Sequence, residues 1–196
     1  RGFQVDCRDT DGDTLNVSLW KRQNGSASWE HLQSQSCQGA NFQTLVFARS
    51  FACGEISSGV QYKFNASDSG NYSAETSASG IVVEKDDVVV SLITGHNSNV
   101  NREGSSTVLL KLSAQDQDRA GIALASGVNG SFWVTTDGSV PDASTVNASD
   151  SEGNFSLYFN PSCSYATGAQ KWQAGVFNDS CYKDKLSTNY TTNVTG

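Results

Sequence analysis

Hydrophobic and polar residues alternate over short stretches along most of the chain, a pattern typical of half-buried β-strands. The clearest series are Leu15, Val17 and Leu19; Val60, Tyr62 and Phe64; and Val108, Leu110 and Leu112. Asp, Asn, Ser and Gly separate these series, and no stretch carries hydrophobic residues at the spacing of an amphipathic helix. The pattern predicts an all-β protein without helices.

Residues 81–90 predict the boundary between two domains. They read Ile-Val-Val-Glu-Lys-Asp-Asp-Val-Val-Val, two β-branched triplets around four charged residues. We interpret them as the last strand of one domain running almost directly into the first strand of the next, without a Gly/Ser-rich linker. A chain of 196 residues accommodates two small sandwiches. The predicted domains are therefore 1–85 and 86–196, stacked as a stiff rod.

Two short turns and the order of strands in the second half carry a resemblance to a known family. Residues 9–15, Asp-Thr-Asp-Gly-Asp-Thr-Leu, and residues 65–73, Asn-Ala-Ser-Asp-Ser-Gly-Asn-Tyr-Ser, resemble turns of prokaryotic immunoglobulin-like surface repeats. Residues 88–193 are similar to the invasin/intimin-type repeat but depart from it at Cys163 and Cys181. The resemblance implies two tandem immunoglobulin-like Greek-key β-sandwiches. The family's sequon-dense members imply an archaeal source, with a eukaryotic source as the alternative.

An intact sandwich of this kind needs a first strand, and the first domain starts within what should be its second. The missing strand either precedes Arg1 or is supplied by a neighbouring molecule, which adds it to an open sheet edge through main-chain hydrogen bonds. Residues 189–195 are Thr-rich and extended in character. They either close the second domain or act as such a donor, so the expected partner is another copy of the chain or a neighbouring domain.

Asn-Xaa-Ser/Thr sequons are more frequent than a chain rich in Asn, Ser and Thr easily produces by chance. Their ten asparagines are Asn16, Asn24, Asn65, Asn71, Asn129, Asn147, Asn154, Asn178, Asn189 and Asn193. They predict N-linked glycans and therefore an exported protein at or outside the cell surface. A merely Asn/Ser-rich protein is the alternative.

The five cysteines favour the same oxidising compartment. Cys163 and Cys181 bracket a hairpin-sized segment, and Cys37 and Cys53 bracket another, so we predict one local disulfide in each domain. Cys7 is then unpaired, or it bonds an upstream residue, a neighbouring subunit, or Cys53 in place of Cys37. Zinc is disfavoured because the sequence contains no Cys-x-x-Cys pair.

Asp9, Asp11 and Asp13 surround a glycine, and alternating carboxylates of this kind are able to direct several oxygens at one calcium ion. Trp20 stands where an EF-hand loop needs its glutamate, and no helices flank the loop. The sequence therefore favours a solvated turn, with a calcium site as the alternative. No other cofactor is predicted.

The remaining motifs give little support for catalysis or for other classes of partner. His31 and His96 lie in no nucleophile motif, and no Gly-rich phosphate loop is present. The net charge of -7 without basic clusters argues against nucleic acid, and no apolar run approaches the roughly 18 residues of a membrane span. Trp133 and Trp172 are predicted to be core residues of their sandwich, and a sugar-binding surface that also includes Trp20 and Trp29 is the alternative.

Together these patterns predict a structural, heavily N-glycosylated extracellular protein that is not an enzyme. It is expected to form a cell-surface rod, coat or filament by end-to-end or donor-strand assembly. The alternative is an adhesion module that binds a partner through loops at one end of a sandwich, which requires a loop surface without glycans.

Overall fold

The computed structural model describes residues 2–23, 25–70 and 72–196, which form two compact units, Arg1–Glu84 and Lys85–Gly196. The division falls one residue before the boundary predicted from the sequence. Every element of the described residues is a β-strand except one short 3-10 turn, Cys53–Glu55. The predicted all-β architecture of two tandem β-sandwiches is confirmed.

The strands of the first unit lie on both sides of the 3-10 turn. They are β1 (Gly2–Cys7), β2 (Thr14–Gln23), β3 (Glu30–Gln38), β4 (Gln43–Ala48), β5 (Ser57–Ser67), β6 (Ser73–Glu75) and β7 (Ser79–Val83). The strands of the second unit are β8 (Val88–Thr94), β9 (Ser98–Asn101), β10 (Val108–Asp116), β11 (Ile122–Ala123), β12 (Asn129–Val134), β13 (Thr145–Ala148), β14 (Asn154–Phe159), β15 (Gly168–Val176), β16 (Lys185–Leu186) and β17 (Tyr190–Thr195).

The first unit packs a large sheet against a two-stranded one. In the large sheet β2 lies between β3 and β5, and β6 and β7 both pair with β5. The small sheet consists of β1 and β4, antiparallel, with Phe3 opposite Phe47. Alternation sends side chains from both sheets into one core, because successive residues of a strand face opposite sides. Its buried members are Phe3, Cys7, Val17, Leu19, Cys37, Phe47 and Phe64.

The second unit has a larger core between two sheets. One sheet has the order β11-β10-β14, with β8 also on β10, and the other has the order β13-β12-β15-β17-β9, with β16 also on β15. Trp172 lies in the centre of this core, 1% exposed, and its indole N–H donates to the Gly95 carbonyl at 3.2 Å. Gly130 allows β12 to approach the core closely, since a Cβ there would lie 2.4 Å from a ring carbon of Phe155.

Two strands that the sequence did not predict are polar for identifiable reasons. β3 lacks hydrophobic alternation because its inward positions include Gln33 and Gln35, whose side chains hydrogen-bond to carbonyls of β4 instead of packing in the core. In β9 only Val100 is buried, and the strand is held by parallel pairing with β17. Hydrophobic alternation detects neither arrangement.

The charged residues of the predicted interdomain segment belong mainly to the second unit. The Asp86 amide donates to the Cys181 carbonyl at 2.9 Å, and the Lys183 amide donates to the Asp86 carbonyl at 3.0 Å. The Asp87 amide donates to Asp118 Oδ2 at 2.7 Å. These bonds fix residues 86 and 87 to their own unit before β8 begins.

The C-terminal strand closes the second unit. β17 pairs antiparallel with β15 and parallel with β9, and Thr192 and Val194 are buried. Of the two roles predicted for residues 189–195, closure of the domain is therefore the one that the structure shows.

Candidate functional site

The sequon asparagines differ in how far their side chains reach solvent. Asn16, Asn129, Asn178 and Asn189 are exposed. Asn65, Asn147 and Asn193 are half-buried, and Asn154 is buried. Asn24 and Asn71 lie outside the described residues. Because a glycan needs open space beyond the amide nitrogen, the four exposed positions leave the most room for one.

Asn154 is the predicted acceptor with the least room for a glycan in the structure. Its side chain is only 6% exposed, and its Nδ2 donates to Asp150 Oδ2 at 3.2 Å and to Glu152 Oε2 at 3.1 Å. A sugar on this nitrogen would have to occupy space already filled by the turn that connects β13 and β14. In the folded protein, the side chain of Asn154 therefore stabilises this turn.

The disulfides also differ from the prediction. Cys7 bonds Cys37, with their Cα atoms 6.4 Å apart, so the prediction of a Cys37–Cys53 pair and of an unpaired Cys7 is wrong. The physical reason is that the ends of β1 and β3 meet in the core, where both sulfurs are buried. Cys53 and Cys181 are also disulfide-bonded, whereas Cys163 is free and exposed, so the predicted Cys163–Cys181 pair is wrong as well.

The small sheet of the first unit has one edge that is covered by side chains. Gln35 Nε2 donates to the Val46 carbonyl at 2.8 Å, and Gln33 Nε2 donates to the Ala48 carbonyl at 3.4 Å. These carbonyls of β4 therefore point away from β1 and towards β3. Side-chain bonds of this kind blunt an edge strand against pairing with another chain.

The opposite edge, formed by β1, is open in the part of the chain that the structure describes. Gln4 lies opposite Val46, and Asp6 lies opposite Thr44. Because opposed residues of an antiparallel ladder direct their main-chain groups either towards each other or both outwards, Gln4 and Asp6 point theirs away from β4. No described residue pairs with them there. This edge presents free donors and acceptors to an incoming strand.

The outer face of the large sheet in the first unit carries an aromatic and cationic surface. The Arg22 guanidinium and the Lys63 ammonium each lie 4.6 Å from the ring centroid of Trp29. The strand register places the sequon residues Asn16 and Asn65 on this same face. Glycans at these two positions would flank the aromatic surface.

A half-buried ion cluster anchors the 3-10 turn of the first unit. Glu55 accepts a hydrogen bond from Lys21, one from Arg49 Nη2 at 3.0 Å, and one from the Ala52 amide at 2.8 Å. Burial alone would raise the pKa of Glu55, but the three donors outweigh it and lower the pKa from 4.5 to about 2. The cluster therefore stabilises the charged carboxylate and is structural in character.

The predicted calcium residues form a turn that is closed by one of its own carboxylates. Asp9 Oδ1 accepts the amides of Asp11 and Asp13 at 2.8 and 3.3 Å. Asp11 and Asp13 are exposed. Among the described residues, no group of three or more His, Cys, Asp or Glu side chains is arranged to hold a metal. This geometry is that of an Asx-type turn, and calcium remains an untested proposal.

The two histidines contact hydroxyl groups. His31 Nε2 lies 2.9 Å from Ser34 Oγ, which also bonds Ser18 Oγ at 2.8 Å. His96 Nδ1 accepts the Thr191 amide at 3.1 Å. The His31 ring packs against Trp20 with centroids 4.9 Å apart. These contacts join neighbouring strands and loops, and they provide no positive support for a catalytic triad.

Trp133 was predicted to lie in the core, but it lies on the outer face of its sheet. Its register partner is Gln173, whereas the inward residues of the same strands are Val134 and Trp172. The Trp133 ring is half-buried and meets Phe177 edge to face, with centroids 5.2 Å apart. Alternation along β12 places residues 132 and 134 inward and therefore residue 133 outward. The sequence alone could have indicated this orientation of Trp133.

No family model matches the sequence, and no curated protein matches it significantly. Solved structures that match include red sea bream transglutaminase (14% identity, TM-score 0.36, covering 100% of this chain and 29% of that chain). Another is Drosophila OTK, extracellular domains 3–5 (13% identity, TM-score 0.31, 99% of this chain and 59% of that one). The chain thus spans less than two thirds of either. Similarity this low carries no functional argument, and the resemblance to invasin-type repeats stays a prediction.

Among the described residues, no helix is long and apolar enough to span a membrane. Disulfide bonds in β-sandwich units fit an extracellular structural or adhesion module.

Proposed function

We propose that the chain is an extracellular N-glycosylated structural protein that assembles through the open edge of β1. The observation that carries the proposal is the contrast between the two edges of the small sheet. Side chains of Gln33 and Gln35 cover the β4 edge, whereas the main-chain groups of Gln4 and Asp6 on the β1 edge have no partner among the described residues. A strand from a second copy of the chain would pair there and build a coat or filament.

Proline substitution tests this edge without disturbing the sheet behind it. Gln4→Pro removes one outward N–H that an incoming strand would use, and leaves the ladder between β1 and β4 intact. Val46→Pro is the matched control, because it removes an outward N–H from the covered edge. We expect the wild-type protein and Val46→Pro to form regular polymers by light scattering and negative-stain imaging, and Gln4→Pro to stay monomeric. A monomeric wild type, or polymers of Gln4→Pro, would reject assembly through this edge.

Glycosylation is the second part of the proposal. The Nδ2 group of each exposed asparagine, Asn16, Asn129, Asn178 and Asn189, would lose one proton and bond C1 of the transferred oligosaccharide, while the bond from C1 to the phosphate of the donor's carrier breaks and the carrier phosphate leaves. Glycopeptide mass spectrometry of the secreted protein checks each position separately. We expect these four to carry glycans and Asn154 to carry none. An unmodified protein from a glycosylating cell would reject this part.

Adhesion is a second candidate function, favoured by the surface around Trp29. Its two flanking cations and its ring are half-buried and therefore partly accessible to a partner protein or a saccharide. Asn16 and Asn65 lie on the same face, so occupied sequons there would screen it. Glycan occupancy at both positions favours the structural function, and unmodified asparagines at both favour adhesion.

A further inference from the structure

The outer face of the larger sheet in the second unit has a shallow cleft that contains both a sequon asparagine and a tryptophan. Trp133, Lys171, Gln173 and Asn189 line it together. Trp133 lies directly opposite Gln173. Trp172 and Tyr190 form the last pair between β15 and β17, so Asn189 follows at the level of Gln173. The three side chains therefore form a row across three neighbouring strands.

The spacing of this row matches one sugar ring. Adjacent strands lie about 4.8 Å apart, so the Cα atoms of Asn189 and Trp133 are separated by roughly 10 Å, with Gln173 between them. An asparagine side chain followed by one pyranose covers that distance. The first sugar on Asn189 Nδ2 would thus lie over Gln173 and reach the Trp133 ring.

The groups around the row have unused hydrogen-bonding capacity. Within the described residues, the Trp133 indole N–H, the Gln173 amide and the Lys171 ammonium form no hydrogen bond or ion pair with another side chain or with the main chain. Phe177 holds the Trp133 ring by an edge-to-face contact. A fixed aromatic ring with a few free polar groups around it is the chemistry that receives a sugar, which has an apolar C–H face and a polar rim.

We propose that the first N-acetylhexosamine of a glycan on Asn189 packs against Trp133, with its hydroxyl and acetamido groups bonded by Gln173 and Lys171. The inference rests on the proposed glycosylation and adds a defined site for the sugar on the protein surface. It gives Trp133, which the core does not use, a ligand supplied by the same chain.

Oxidative footprinting of Trp133 tests the contact. The full chain is secreted with high-mannose glycans and compared in three forms: intact, trimmed to one N-acetylglucosamine by an endoglycosidase, and fully deglycosylated by an amidase. We expect hydroxyl-radical oxidation of Trp133 to be several-fold lower in the first two forms than in the third. Asn189→Gln is the matched control, because it lacks this glycan alone and its Trp133 should oxidise equally in all three.

The outcomes separate the contact from the glycosylation itself. An unmodified Asn189 in the glycopeptide map would overturn both this inference and glycosylation at that position. An occupied Asn189 with unchanged Trp133 oxidation would overturn the contact and leave the proposed function standing. If free diacetylchitobiose protected Trp133 in Asn189→Gln while the attached glycan did not protect it, the cleft would be a site for free saccharide and the assignment would be wrong.

Discussion

Removing the disulfide of the first unit tests how far loop closure keeps that unit folded. The perturbation is the pair Cys7→Ala and Cys37→Ala, made in a background with Cys163→Ser so that the exposed thiol cannot exchange with the remaining bonds. Both bonded cysteines are buried and lie 30 positions apart in the sequence.

The magnitude follows from the size of the loop. Chain entropy for a loop closed over 30 positions gives about 3.7 kcal/mol of stabilisation at 25 °C. That free energy corresponds to a change of about 500-fold in the unfolding equilibrium. The core of the first unit has less than half as many buried hydrophobic residues as the core of the second, so the first unit has less stability to lose.

Hydrogen exchange read by mass spectrometry measures the two units separately in one molecule. We expect amides of β5 that exchange through unfolding of the first unit to exchange about 500-fold faster in the double variant. Amides of β15 in the second unit should keep their rates and serve as the internal control. A change below about tenfold in β5 would refute the loop-closure argument, and an equal change in β15 would refute its assignment to the first unit.

Three further predictions concern charge, packing and metal. Glu55→Gln should destabilise the first unit by about 1.5–3 kcal/mol at pH 7. Because the pKa of Glu55 is about 2 in the folded state and 4.5 in the unfolded state, this loss of stability should shrink as pH falls from 5 to 2. Urea titrations measure the loss, and a loss that does not change with pH would contradict the prediction. Gly130→Ala should cost the second unit about 1–3 kcal/mol by overpacking against Phe155, whereas Gly54→Ala, with open space around it, should leave the melting temperature unchanged; equal melting temperatures would disprove the clash. Chelation should not change the melting temperature, since Asp9 already accepts hydrogen bonds from two amides. A lower melting temperature after adding a chelator would support the calcium site instead.

The sequence predicted the fold well wherever burial alone decides the pattern. β2, β5 and β10 carry hydrophobic residues at alternate positions, because one face of each strand packs against a core. β3 was not predicted because Gln33 and Gln35 stand where a hydrophobic pattern would place core residues. Their side chains instead donate hydrogen bonds to carbonyls of the edge strand β4. Hydrophobic alternation detects strands that bury hydrophobic side chains, and it does not detect a strand that is held by polar contacts.

The candidate site was harder to predict because it depends on contacts between distant residues. Sequons identify candidate acceptors, but only the tight turn around Asn154 shows that this one is buried. The disulfide prediction used short sequence separation, whereas pairing depends on which strand ends meet, and β1 meets β3. Trp133 was assigned to the core by residue type, although the phase of β12 already placed its neighbours inward.

The positions of the sequons also bear on how copies of the chain would assemble. Asn16 and Asn65 lie on an outer sheet face of the first unit, and Asn189 and Asn193 lie on an outer face of the second. None of the sequons that the structure describes lies on β1 or β4. Glycans at these positions would block packing through the sheet faces and leave the β1 edge accessible. A polymer built through this edge is therefore compatible with glycans on all four of these asparagines. Assembly through the outer faces would instead require unmodified asparagines there. Glycan occupancy and the effect of Gln4→Pro are therefore two independent tests of assembly through the β1 edge.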